Sequence, residues 1–232
     1  MEAMKQQFIA LMAYLQNLPV TIISIDNVEA DDVIAYIAKN ILPEKQTIIC
    51  STDKDFIHLV DDNIKVWSPT KKQLIDKDWV LNKFGIHSDN FIYSRVFEGD
   101  KSDNITGVNG VGLKTMIKRI PIITDSTQLQ LQDIFDYCKT QLDEGSKIKL
   151  YSTILENKDI AIRNEKLMCL KDVDISATIK MSVKEQFDAP VPKYDITTFK
   201  RRFISDKLYH GIPNIDNWLQ NTFNHLSTFI GK

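Results

Sequence analysis

Seven carboxylates stand in three short acidic groups: Glu29-Ala30-Asp31-Asp32, Asp53-Lys54-Asp55 and Asp100-Lys101-Ser102-Asp103. Like charges that converge raise one another's pKa and cost desolvation energy unless something neutralises them. Divalent cations resolve the conflict, and hard oxygen donors with no His or Cys beside them select Mg²⁺ or Mn²⁺ over zinc. Glu29 and Asp32 lie three residues apart, on one face of a helix, and Asp31 and Asp55 can approach from neighbouring turns. Taken singly, Asp26, Glu29 or Asp53 is more readily a helix cap than a ligand, and Asp61 and Asp62 read as a turn before a strand. Three acidic groups at related places in the chain outweigh that reading and point to a metal site.

A second chemical signal comes after the third acidic group. In Gly107-Val108-Asn109-Gly110-Val111-Gly112-Leu113-Lys114-Thr115 the glycines let the backbone turn and approach a ligand, and a helix starting near Gly112 offers free N–H groups. Lys114, Lys118 and Arg119 come next, with no acidic residue between Ile105 and Thr124. Such a turn suits phosphate contact without base readout. It is neither a dinucleotide fingerprint nor a Walker loop, because it lacks the preceding strand and the Gly-Lys-Ser/Thr ending.

These groups need a scaffold. A helix is expected over residues 2–16. Residues 20–25 form a β-branched run suited to a strand buried on both faces of a parallel sheet. A second helix spans 29–40, with Val33, Ile34 and Ile37 as its apolar stripe. Strands at 47–51 and 64–67 bracket a short helix at 55–59. Strands alternating with helices imply an α/β layer with right-handed crossovers, and ligands gather outside the carboxyl ends of such strands. All seven carboxylates then share one rim. Beyond residue 90 helices dominate, expected over 91–97, 112–119, 127–142, 146–157 and a tail from 196 to 229, with an extended connector at 186–195. The working division is an α/β part over 1–92 and a helical part over 93–232.

Composition fits one large domain or two small ones: 232 residues, 43% apolar and 26% charged. The 29 basic and 31 acidic residues give a net charge of −2, which on its face argues against a nucleic-acid partner. Without the seven proposed ligands, however, basic residues outnumber acidic ones. Three scattered cysteines suggest neither a disulfide framework nor a zinc cluster and fit a reduced, cytoplasmic setting. No run approaches the length needed to span a bilayer, so no membrane partner is expected. His58, His87, His210 and His225 show no ligand spacing.

Together the motifs resemble the 5′-nuclease superfamily: flap endonucleases, the 5′-nuclease domain of bacterial DNA polymerase I, and especially phage 5′-3′ exonucleases such as the T-even phage ribonuclease H. The matching pieces are Val28-Glu29-Ala30-Asp31-Asp32, Ser51-Thr52-Asp53-Lys54-Asp55-Phe56, Trp67-Ser68-Pro69 and Gly99-Asp100-Lys101-Ser102-Asp103-Asn104 leading into the glycine turn. Arg163-Asn164-Glu165-Lys166-Leu167 is similar to a later helical segment of that family. The resemblance implies a PIN/Rossmann-like parallel sheet succeeded by a helix-three-turn-helix DNA-binding part. It implies two Mg²⁺ or Mn²⁺ ions, Glu29, Asp31 and Asp32 serving one and Asp53, Asp55, Asp100 and Asp103 the other, with Asp31, Asp53, Asp55 and Asp103 catalytic. The ions would generate a hydroxide and steady the leaving oxygen of an in-line phosphodiester displacement. DNA would meet Lys71, Lys72, Lys101, Gly107, Gly110, Gly112, Lys114, Thr115 and Lys118, with a K⁺ ion at the glycine turn. The substrate would be a flap, a 5′ end or an RNA–DNA duplex in DNA replication, and a single-strand-binding protein could dock on the tail.

The family pattern also places two strands with aspartates, and a basic arch, ahead of the segment matching residues 1–20. Those first strands are absent from the 232 residues. The expectation is therefore one piece of a split nuclease, with an amino-terminal fragment acting in trans and apolar strand edges at 20–25 and 47–50. A catalytically impaired module that grips duplex DNA without cutting stands as the alternative. A PIN-like ribonuclease is disfavoured by the glycine turn.

Overall fold

A computed structural model describes residues 2–125 and 128–228. Thr127, Phe229 and Ile230, which fall in expected helices or the tail, lie outside the described residues. The chain forms two compact units, Val28–Ile175 and Met1–Asn27 with Ser176–Lys232. The boundary expected at residue 92 falls inside a helix of the first.

That first unit begins with α2 (Ala30–Tyr36), continued by a wider turn at Ile37–Ile41; α1 (Glu2–Leu15) belongs to the other unit. Three strands form its sheet: β1 (Thr47–Cys50), β2 (Ile64–Ser68) and β3 (Gln73–Ile75), in the order β1-β2-β3. β1 runs parallel to β2, with Ile49 opposite Val66, and β3 pairs antiparallel to β2. Period-two alternation buries Ile49, Ile64, Val66 and Ile75 on one face. On the other face Ile48, Trp67 and Leu74 are exposed, Ile48 by 63%. β3 has no sequence signal: three residues behind Lys71 and Lys72 are too short a run to show alternation.

After β3 come α3 (Lys77–Phe84), which Asp76 caps by accepting the Trp79 N–H at 2.9 Å, and α4 (Ser88–Glu98). The α4 helix is buried all round from Asn90 to Phe97 and forms the spine of this unit. It runs directly into a two-stranded ribbon, β4 (Gly99–Asp100) antiparallel to β5 (Ile105–Thr106). Next in the chain are α5 (Leu113–Arg119), α6 (Leu131–Asp143), α7 (Lys149–Glu156) and α8 (Lys158–Met168). The fully buried Asn164 of α8 donates from Nδ2 to the Val96 carbonyl at 2.9 Å and the Thr106 carbonyl at 3.0 Å. It thereby clamps the end of α4 to the ribbon.

The second unit packs α1 (Glu2–Leu15) against α10 (Ile196–Ser205) and α11 (Ile215–Leu219), and also contains α9 (Ala177–Asp188). Tyr14, Leu18, Phe199, Phe203 and Leu219 make its small core. The Tyr14 hydroxyl donates to Asp206 at 2.7 Å, and burial together with that carboxylate raises the phenol to about 12.

Three expectations are corrected here. Residues 20–25 form no strand. Among the described residues no strand pairs with them, and Ser24 meets the Gln186 side-chain amide through both its N–H and its carbonyl. β-branched composition favours a strand only where a neighbour supplies the ladder. On α2 the buried side is Val33, Ala35 and Ala38, while Ile34 is exposed and lines a cleft. The expected connector at 186–195 is also shorter, since α9 continues to Asp188.

Candidate active site

Two parallel strands ending side by side put the residues after β1 on one rim. Ser51 extends the pairing by donating its N–H to the Trp67 carbonyl at 3.0 Å, and the chain then turns through Asp53 into a tight helical turn, Asp55–Leu59. Asp53 Oδ1 accepts the Asp55 N–H at 2.9 Å, so Asp53 acts as a local cap as well as lining the cleft. Glu29 stands at the N-cap position of α2 and makes no side-chain cap bond, which leaves its carboxylate unspent. Asp100 sits in β4, and Asp103 in the turn between β4 and β5 that Asn104 closes with a φ of 58°.

The carboxylates gather in two groups. Ligand atoms of Glu29, Asp31 and Asp32 lie within 4.8 Å of one another, and so do those of Asp55, Asp100 and Asp103. Glu29, Asp31, Asp53, Asp55 and Asp103 line one open cleft of about 740 Å³, with Ile34, Phe56 and Leu170 among its apolar walls. Asp32 and Asp100 do not line it, and Asp53 lies outside both groups. Burial, then Asp31 and Glu29, push the Asp32 carboxyl above the usual range. Burial likewise raises Asp55, against the pull of Arg95. Asp100 is held down, to about 2, by the Ser102 hydroxyl and N–H and by Arg95.

Arg95 escapes a reading of the sequence alone. Its Nε donates to Asp55 at 2.9 Å and its Nη2 bonds Asp100, while the residue is only 8% exposed. A lone arginine inside the apolar run of α4 is the available signal, since a buried charge demands a partner. His58 is fully buried, its Nε2 accepting the Leu170 N–H at 2.9 Å, and so is not a ligand. Both carboxylate groups are therefore all-oxygen donor sets, the kind that fits a hard divalent cation.

Gly107, Gly110, Gly112 and Thr115 surround a second hollow of about 500 Å³. A third, of about 520 Å³, is lined by Lys114 together with Lys54 and Lys83, two bases not singled out from the sequence. Lys71 and Lys72 occupy the exposed turn between β2 and β3, Lys101 the exposed β4–β5 turn, and Lys118 the exposed side of α5. None of these four lines the three hollows.

Comparison with known proteins gives a consistent picture. The family model described as 5′-3′ exonuclease, N-terminal resolvase-like domain, matches residues 1–85. The chain is 25% identical over 181 residues to the flap endonuclease Xni of Pseudoalteromonas translucida, covering 77% of this chain and 66% of that one. It is 29% identical over 195 residues to the 5′-3′ exonuclease of Aquifex aeolicus, covering 79% and 68%. Among solved structures, a phage T5 5′-exonuclease superposes with a TM-score of 0.59 at 25% identity, covering 72% of this chain and 68% of that one. A phage T5 flap endonuclease in a pseudo-enzyme–product complex with DNA and metal ions gives 0.59 at 24% identity, covering 72% and 61%. The chain thus spans about two thirds of the length of these relatives. Among the described residues, no helix is long and apolar enough to cross a membrane.

Proposed function

The chain belongs to the 5′-nuclease superfamily, and on that premise we propose that it serves a divalent-metal-dependent 5′-nuclease acting on flaps, 5′ ends and RNA–DNA duplexes during replication. The observation that carries the proposal is the pair of all-carboxylate groups on one open cleft. Two Mg²⁺ or Mn²⁺ ions fit them: Glu29, Asp31 and Asp32 would hold one, and Asp55, Asp100 and Asp103 the other, with Asp53 beside them. Bound there, the ions supply an activated water and charge stabilisation at the leaving oxygen.

The chain's own groups do the rest. Asp31, Asp53, Asp55 and Asp103 present oxygens to the cleft where the scissile phosphate would lie. The turn at Gly107, Gly110, Gly112 and Thr115 meets the duplex backbone and can hold K⁺ through carbonyl oxygens. Lys114 and Lys118, with Lys101, Lys71 and Lys72, add phosphate contacts, and Lys54 and Lys83 widen that basic surface. In this reading residues 93–232 form the helical DNA-binding part.

The sheet calls for completion. No strand pairs with the outer edge of β1 among the described residues, and Ile48, Trp67 and Leu74 leave one face apolar and exposed. A further strand, from the same polypeptide or in trans, fits that edge. The open edge also supports the second reading, a module that grips DNA without cutting.

One assay separates the two. The chain, alone and with a segment supplying the amino-terminal strands, is given 5′-flap DNA and Mg²⁺, and the assay is repeated with Asp53→Asn. Cleavage that Asp53→Asn abolishes supports the nuclease. Duplex binding without cleavage in every arrangement supports the module.

A further inference from the structure

We infer that Arg95 is the positioning residue for the second carboxylate group, its guanidinium fixing Asp55 and Asp100 at the separation and angle a cation needs. The inference rests on the divalent-cation reading of the cleft. Asp55 opens the turn after β1 and Asp100 lies in β4, two segments that reach the site from different parts of the unit. Arg95, one turn before the end of α4, bonds both: Nε to Asp55 Oδ1 at 2.9 Å and Nη2 to Asp100 Oδ2.

The environment makes this fork rigid. α4 is buried along its length, and the side chains of Arg95, Asp55 and Asp100 are 9%, 16% and 17% exposed. Charge-assisted bonds of a planar guanidinium to two carboxylates are strong and directional. Asp100 is held from its other side as well, where Oδ1 accepts the Ser102 N–H at 2.8 Å and the Ser102 hydroxyl. Arg95 engages Asp55 through Oδ1, which leaves the Oδ2 lone pairs for a ligand.

Two effects of the guanidinium oppose each other. Its charge repels a cation nearby, whereas its bonds keep the carboxylates of Asp55 and Asp100 from splaying apart. The charge is already neutralised by the two carboxylates that bond it, so geometry decides. Groups that orient metal ligands in this way are worth roughly tenfold to a hundredfold in metal affinity.

The test is Mn²⁺ binding to the full chain, followed by electron paramagnetic resonance well below the unfolding temperature, for wild type, Arg95→Met and Arg95→Lys. Arg95→Met is expected to weaken one class of site by roughly tenfold or more and leave the other unchanged. Lysine, a point charge that cannot fork, is expected to give an intermediate loss and carries the test if the methionine variant does not fold. Unchanged or tighter Mn²⁺ binding in either variant overturns the inference while leaving the cation reading intact. A wild-type chain that binds no Mn²⁺ overturns both.

Discussion

The three glycines of the turn after β5 are glycines for three different reasons, and alanine substitution separates them. A Cβ on Gly107 would stand 2.5 Å from the Phe97 carbonyl oxygen and nearer still to the carbonyl of Glu98. Relief requires moving backbone by about 1 Å, since carbon–oxygen contact needs about 3.3 Å or more. That shift breaks the Val108 N–H to Phe97 carbonyl bond of 2.7 Å and loosens the pairing of Gly99 with Thr106. A buried hydrogen bond lost with its partners costs about 1–3 kcal/mol, and overpacking a further 1–3 kcal/mol, so Gly107→Ala should destabilise by about 2–6 kcal/mol. Gly110 has open space around it but a φ of +79°, so alanine there costs about 1–2 kcal/mol. Gly112 has neither constraint: its φ is −111° and no atom lies within 4 Å of an added Cβ. Gly112→Ala should stay within about 0.5 kcal/mol of wild type and, on the proposed reading in which a DNA backbone fills that space, lower duplex affinity instead. Urea unfolding by tryptophan fluorescence gives the stabilities, and anisotropy of a labelled duplex gives the binding. A Gly107→Ala protein as stable as wild type, or a Gly112→Ala protein as damaged as Gly107→Ala, refutes the reasoning.

Two further outcomes are expected. Burial, then Lys171, lower the His58 pKa to about 3. Below about pH 6.5 the unfolded chain thus takes up a proton that the folded chain refuses, and stability falls as pH drops. The loss is about 2 kcal/mol between pH 6.5 and 5; His58→Gln should flatten this slope in urea midpoints, and an unchanged slope would contradict the assignment. Asn164→Leu removes the Val96 carbonyl's side-chain donor and leaves the Thr106 carbonyl with the 3.4 Å contact from Arg163 Nη2, and should cost about 1–3 kcal/mol. Equal urea midpoints for variant and wild type would remove Asn164 as the clamp.

Of the acidic groups, Asp53-Lys54-Asp55 is legible as a rim position because it comes after β1, whose β-branched run stands out, and a strand end fixes where the next residues go; the other two are legible by composition alone, one opening α2 and the other coming after α4. Residues 20–25 show the limit of that signal, since a run fit for a buried strand forms none where no neighbour offers a ladder. Arg95 is invisible as a site residue because one of its partners, Asp55, lies on another element far along the chain. Periodicity does not show α8, which is mostly polar and stands out only through the resemblance of residues 163–167 to a helical segment, and Asn164 within it works through two carbonyls that leave no trace in spacing. Gly107 looks like a hinge for a ligand; contact with the carbonyls of Phe97 and Glu98, not freedom, explains it. Glu29 and Asp53 look equally like caps, yet only Asp53 spends an oxygen that way.

The central claim is that both carboxylate groups serve one phosphodiester hydrolysis. Its most direct measurement is the rate of 5′-flap cleavage across a Mg²⁺ titration, with the amino-terminal strands supplied, for wild type, Asp31→Asn and Asp103→Asn, one substitution in each group. The account predicts that each variant loses roughly a hundredfold or more of the rate at saturating Mg²⁺ while still binding the duplex. A wild-type rate in either variant would contradict it.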